Sequence, residues 1–295
     1  MAFPLTAVLA IGLSLLGATG AAATGAAAQD ASGPPPQPSP TPPSRPDAMD
    51  LSLSPECRVP GSKLYTLASL RRVKRALRER RTIKVLAIGS SSTAGTAAAS
   101  SAATYPARLE DELEKLVPNV NVDVVNRGIS GEIAGDAADR LKETIAEVAP
   151  DLVVWQVGTN DALARVDPES FSASLDETIT WLQSHKIDVV LVDPQYTASL
   201  ASDDAYGRIV QMIEDAARKN RVPLVRRFEA TRYMAARKEG ATLSREQFQL
   251  NDLGYRCMAE HVARAVTVGM LQPEPLPPPT DAKNSESPKP SSPAE

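Results

Sequence analysis

A serine, a glycine loop and an asparagine carry the chemistry of this chain. Ser91 lies in the stretch Ile83–Gly95 (IKVLAIGSSSTAG), where an apolar run ends abruptly at Gly89 and a loop of Ser, Thr, Gly and Ala begins. A hydroxyl held rigidly just past a buried strand is placed as a nucleophile must be. The segment NRGISGE contains Gly128 and Gly131, and a glycine lets a backbone N–H approach a ligand with no Cβ in the way. Asn160, in VGTND, offers an amide NH₂ donor. One hydroxyl with convergent donors makes a serine nucleophile and its oxyanion hole. Each motif alone has a plain alternative: a solvated loop for GSSST, a turn for NRGISG, a helix cap for Asn160. Their occurrence together, in this order, is the specific signal.

The elements around these motifs decide whether the side chains meet. Apolar runs at 83–88, 120–125, 151–157, 187–192 and 222–225 read as strands. Helical spacing covers 64–80, 105–116, 134–148, 168–185, 203–219 and 254–268. Strands alternating with helices predict a parallel sheet covered on both faces. In such a sheet every strand-to-helix loop leaves by the same edge, so Ser91, Gly128–Gly131 and Asn160 converge by topology. The expected fold is a three-layer α/β/α sandwich around a parallel, flavodoxin-like sheet of about five strands.

With these residues in place, the chain resembles the SGNH/GDSL hydrolases from about Ile83 to Val266. That family of esterases and acylhydrolases is built on blocks centred on Ser, Gly, Asn and His. AIGSSSTAG is similar to the nucleophile block, which implies that Ser91 is the nucleophile and that its N–H belongs to the oxyanion hole. NRGISGE matches the second block and implies the same role for the amide of Gly131; VGTND matches the third and implies Asn160 as the side-chain donor. Ser90 stands where the family name has Asp, as in envelope-type bacterial members with a GSSST block. The resemblance implies hydrolysis of a small-molecule or glycan ester, such as a carbohydrate O-acetyl group, with no cofactor.

The last family block, Asp-x-x-His before a Gly-Tyr helix start, is degenerate here. Aligning on Gly254 and Tyr255 puts Glu246 at the Asp position and Gln249 at the His position. A serine hydroxyl needs a base near pKa 7 to take its proton, and an amide cannot accept one. The two histidines lie elsewhere: His185 precedes the fourth strand, and His261 falls well inside the last helix, which reads them as exposed or capping. Glu246 reaches only about 1.5 Å further than an aspartate, so it needs an inward loop shift to serve as base. Asp161 and Asp252 are the other carboxylates near these motifs. The sequence thus supports a slow ester hydrolase or a pseudo-enzyme binding an acylated glycan, peptidoglycan or lipid fragment. A third reading is a structural envelope protein making contacts through Pro-rich arms.

Composition narrows the remaining classes. The chain has 295 residues and a formal charge of −4, which gives no reason to expect nucleic-acid binding. Residues 5–16 (LTAVLAIGLSLL) with the small residues after them look like a signal peptide over 1–28, although no Lys or Arg precedes them. A Pro-rich linker over 29–53, a folded domain over 54–271 and a Pro/Ser-rich tail over 272–295 follow. The expected location is periplasmic or secreted, with an uncleaved anchor as the alternative; no transmembrane segment remains once the leader is removed. Export permits a disulfide between Cys57 and Cys257. In Arg71–Arg81 seven of eleven residues are basic, a solvated helix face or a patch for anionic envelope polymers or lipid head groups. No His/Cys cluster has metal-ligand spacing, so no metal is expected. Trp155 reads as core, Trp181 as a helix residue packed against the sheet, and Gln195 and Tyr196, after the fourth strand, as a turn or pocket wall. Nothing in the sequence fixes an oligomeric state.

Overall fold

Alternation along each strand builds the layers, because successive side chains of a strand point to opposite faces. A computed structural model describes residues 49–237, 243–244 and 248–274. Glu246 lies outside these residues, as do the expected leader, the linker up to residue 48 and the tail from residue 275. Six strands, β1 (Tyr65–Thr66), β2 (Ile83–Ile88), β3 (Val122–Asn126), β4 (Leu152–Gln156), β5 (Asp188–Val192) and β6 (Leu224–Val225), form one sheet in the order β1-β6-β5-β4-β2-β3. All neighbours are parallel except β1, which pairs antiparallel with β6 through Tyr65↔Val225 and Thr66↔Leu224.

The helices are α1 (Gly61–Leu64), α2 (Arg71–Arg78), α3 (Ser91–Ala94), α4 (Tyr105–Leu116), α5 (Ala134–Val148), α6 (Thr159–Leu163), α7 (Pro168–Ser184), α8 (Asp204–Asn220), α9 (Arg227–Ala235) and α10 (Asp252–Leu271). On one face Val85, Ala87, Val154 and Val190 pack with Val73 of α2, Leu109 of α4 and Val262 of α10. On the other, Leu86, Ile88, Val153 and Trp155 pack with Leu141 of α5, Leu175 of α7 and Ile213 of α8. Helices on both sides of a mostly parallel sheet give the expected three layers. Trp155 is core as expected, and Trp181, half-buried, packs against the same layer of the sheet and stacks on His185. Among the described residues, no helix is long and apolar enough to cross a membrane.

The structure departs from the sequence reading over 64–80, at α9, and at the short helices α3 and α6, which form where loops were expected. The helical spacing over 64–80 is divided into α1, β1 and α2, because Leu64 and Leu70 serve different cores. Leu64 joins Cys57, Met234 and Cys257, Leu70 joins the α4–α10 layer, and Leu67 between them is 58% exposed. That division creates the sixth strand, whose Thr66 hydroxyl accepts the Leu224 amide at 3.1 Å. Helix α9 is also new; it carries no clear apolar stripe and is capped from outside, its Phe228 amide donating to Asp193 Oδ1 at 2.8 Å.

Candidate active site

The order of the strands creates the cleft. The chain runs outward from β2 to β3, then crosses back to β4 on the other side of β2, so the connections diverge between β2 and β4. Ligands bind at such a switch point, beyond the carboxyl ends of the strands. The loops leaving β2 and β4 carry Ser91 and Asn160.

Ser91 is the first residue of α3, and its half-buried hydroxyl has no hydrogen-bond partner among the described residues. At the first position of a helix its amide has no intrahelical acceptor either. The turn beneath it is fixed by β4. Gln156 Oε1 accepts the Ser90 amide at 3.2 Å and the Thr93 hydroxyl at 3.4 Å. Gly89 enters the turn at φ +147°, and a Cβ there would lie 2.5 Å from the Gln156 carbonyl oxygen. Only glycine allows this approach of backbone to backbone.

The second loop locks onto the first. The Ile129 amide donates to the Gly89 carbonyl at 2.8 Å, and Asn126 Nδ2 donates to the Thr93 carbonyl at 2.8 Å. A Cβ on Gly128 would fall 2.3 Å from the Ala94 nitrogen, so Gly128 is the glycine that packing requires. A Cβ on Gly131, at φ +84°, would meet nothing within 4 Å, so this glycine borders open space. Asn160 closes the set: its Nδ2 donates to the Glu132 carbonyl, next to Gly131, at 2.8 Å. One amide hydrogen of Asn160 is used in that bond and one remains. A hollow of about 340 Å³ beside Gly131 is lined by Ile129, Ser130, Glu132, Asp136 and Arg140; another of about 630 Å³ opens beside Ala94 and Asn126.

The carboxylates and histidines do other work. Asp161 is 1% exposed and its Oδ1 accepts the Ala134 amide at 2.8 Å, capping α5; burial raises its pKa. Asp252 is exposed and pairs with Arg108. Glu132 is buried and clamped by Arg140, whose Nη2 also reaches the Arg127 carbonyl at 2.7 Å, which stiffens the glycine loop. His185 is exposed at the end of α7. His261 is buried instead of exposed or capping: it is 3% exposed, its Nε2 lies 2.8 Å from the Cys57 carbonyl oxygen, and burial pushes its pKa down to about 4.

Gln249 is exposed and follows Phe248, a non-glycine residue at φ +68°. The segment is closed by a Ser244↔Leu250 bridge and leads into α10, where Asn251 Oδ1 caps the Gly254 amide at 2.8 Å. The start of α10 supports the segment after Ser91 as well, since the Tyr255 hydroxyl accepts the Ala97 amide at 3.3 Å.

Sequence reading missed Arg227 and underrated Gln195. Both are 3% exposed. Arg227 Nη2 donates to Gln195 Oε1 at 2.6 Å and to the Ser92 hydroxyl at 3.4 Å; Gln195 Nε2 donates to the Phe248 carbonyl at 3.0 Å. A buried chain of hydrogen bonds therefore runs from the residue after Ser91 to the residue before Gln249. Asp193, fully buried beside this chain, has its pKa pushed up to about 8 by burial. DPQY in the sequence was the sole signal for this layer, and nothing marked Arg227 as its partner. Cys57 and Cys257 form a disulfide, with Cα atoms 5.1 Å apart, that fastens the segment before α1 to α10. No group of three or more metal-ligating side chains occurs among the described residues.

Comparisons agree with this architecture. The model of the non-GDSL lipase-like family matches residues 56–272. An arylesterase of Vibrio mimicus is 31% identical over 123 residues, covering 38% of this chain and 57% of the relative. An acetylxylan esterase of Geobacillus stearothermophilus is 28% identical over 127 residues, covering 38% and 58%. The chain thus spans less than two thirds of the length of these curated relatives. Among solved structures, a two-domain esterase active on acetylated mannans matches with a TM-score of 0.61 at 19% identity, covering 74% of this chain and 58% of that one. At that identity the likeness establishes the fold.

Proposed function

Because the chain belongs to the non-GDSL lipase-like family, a group with the SGNH/GDSL-like hydrolase fold, we propose that it is an ester hydrolase acting through Ser91. The observation that carries this reading is the interlocking of the three loops, Gly89 against Gln156, Gly128 against Ala94 and Asn160 on Glu132. Ser91 Oγ attacks the ester carbonyl as its proton passes to water, and the amides of Ser91 and Gly131 with Asn160 Nδ2 receive the charge that develops on the carbonyl oxygen. The alcohol departs protonated by water, and a second water then releases the acid from Ser91. Donors preorganised in this way supply about 3–4 kcal/mol of transition-state stabilisation each. The substrate proposed is a short acyl ester, an O-acetylated glycan in the first instance, in keeping with relatives that include an acetylxylan esterase and an esterase active on acetylated mannans.

Turnover is slow in this proposal, because Gln249 replaces the proton acceptor. Loss of the histidine from a serine hydrolase costs roughly 10⁶ in kcat, while about 10³–10⁴ over water survives from the oxyanion hole and binding. The exposed, non-basic Gln249 also favours a second reading, a pseudo-hydrolase that holds an acylated glycan or lipid fragment in the same cleft. The buried disulfide and the apolar residues 5–16 support placement in the envelope or outside the cell. Hydrolysis of a p-nitrophenyl acetate series by the parent and by Ser91→Ala separates the readings. Ser91-dependent turnover supports the enzyme, and equal rates for both proteins contradict it.

A further inference from the structure

A groove of about 910 Å³, larger than either hollow at the candidate site, opens on the opposite rim at the amino ends of the strands. Three separate elements send cations into it: Arg71, Arg72 and Arg75 from α2, Lys186 from the turn before β5, and Lys219 and Arg221 from the end of α8. Arg72 is committed to Asp151 at 2.8 Å and Lys219 to Asp176 at 2.6 Å. Arg71, Arg75, Lys186 and Arg221 form no ion pair among the described residues. The lining carboxylates are Glu274 and Asp188, and Asp188 Oδ2 is already used to cap α2 through the Val73 amide at 3.0 Å.

Helix dipoles explain only part of this charge. Lys186 and Arg221 follow the carboxyl ends of α7 and α8, where cations are favoured. Arg71 opens α2, where the dipole disfavours it, whereas Arg75 lies in the last turn of that helix. Lys186 (φ +60°) and Arg221 (φ +53°) also occupy left-handed positions that glycine takes with less strain. The groove has an apolar margin: Leu67 lines it at 58% exposure, and Leu271, beside the lining residue Gln272, is 76% exposed.

We propose that this groove docks the protein on an anionic phospholipid surface, with Arg71, Arg75, Lys186 and Arg221 on the phosphodiester headgroups and Leu67 and Leu271 in the interface. Cations alone would suit any polyanion, but two exposed leucines beside them match the boundary between headgroups and acyl chains. The Ser91 rim then faces away from the membrane. Docking is independent of whether Ser91 turns over an ester.

The test is hydrogen–deuterium exchange of the full chain with vesicles of phosphatidylcholine, alone or with one third phosphatidylglycerol. Because exchange is resolved by segment, it reads the groove even if residues 1–28 anchor in both vesicles. The expected result is protection of segments 67–78 and 183–188 by the phosphatidylglycerol vesicles only, lost in 1 M NaCl as screening shortens to about 3 Å. Arg71→Gln with Arg75→Gln should weaken that protection about 30-fold in lipid concentration, at roughly fivefold per cation. Leu67→Ser should weaken it while leaving any protection by soluble polyphosphate unchanged. Equal protection by the two vesicles, indifference to the arginine substitutions, or protection by polyphosphate as strong as by vesicles and insensitive to Leu67→Ser would overturn the proposal; the last outcome assigns the groove to a soluble polyanion.

Discussion

Ser91 and Gln249 divide the candidate site into a part that is complete and a part that is not. The turn carrying Ser91 is held by Gln156, Gly89 and Gly128, while the position that the resemblance aligns with a histidine base carries an amide. The two loop glycines have different duties, and substitution should separate them. Gly128→Ala drives a Cβ into the backbone of Ala94 and should destabilise the fold by about 3 kcal/mol or more in a urea titration. Gly131→Ala meets no atom and should cost only about 1 kcal/mol, the strain of its left-handed conformation. Equal losses at the two positions would contradict the assignment of Gly128 to packing and Gly131 to the cleft. The placement of Ser91, Gly131 and Asn160 in loops after strands was legible in the sequence because each lies in a short motif at a strand end. Gln156 and Arg227 were not, because their roles exist only across tertiary contacts between loops distant in the chain.

At the scale of elements, the segment carrying Gln249 is tied to the turn carrying Ser91 through α9 and the loop after β5. Gln195 is the hinge of that connection, accepting from Arg227 and donating to the Phe248 carbonyl. Gln195→Glu keeps the acceptor and removes the donor. Amide exchange in residues 248–251 should accelerate by about tenfold, the loss of one hydrogen bond worth about 1 kcal/mol or slightly more, while the sheet keeps its protection. Uniform acceleration across the molecule would mean that Gln195 supports the whole core. The five parallel strands were readable from apolar runs. The antiparallel edge strand β1 was not, since its two residues leave no period and the leucines around Leu64 imitate a helix that the division of two cores overrides.

Across the whole molecule, α10 links the candidate site to the opposite rim and is anchored at its middle by the disulfide and by His261. Replacing both cysteines by serine removes a cross-link over 200 residues, an entropic loss of up to about 5 kcal/mol. The midpoint of denaturation should fall accordingly, with the native secondary structure retained in buffer. His261 makes stability depend on pH. Its folded pKa, about 4, lies below the usual 6.5, so its contribution is present above pH 6.5 and is lost as pH falls towards 4, by about 3 kcal/mol. Asp193 acts with the opposite sign: its pKa is raised from 3.8 to about 8, so its contribution is present below 3.8 and is lost as pH rises through 8. His261→Gln should therefore remove a loss of stability between pH 7 and 4, and Asp193→Asn a loss between pH 4 and 8, each read against the parent by urea unfolding. The central claim, a serine site complete except for its base, is tested most directly by kcat for p-nitrophenyl acetate in Gln249→His and in Gln249→His with Ser91→Ala. The account predicts a gain of about 10² or more in the single variant, the range of general base catalysis, abolished in the double variant. A folded Gln249→His protein no faster than the parent, or a gain that survives Ser91→Ala, would contradict it.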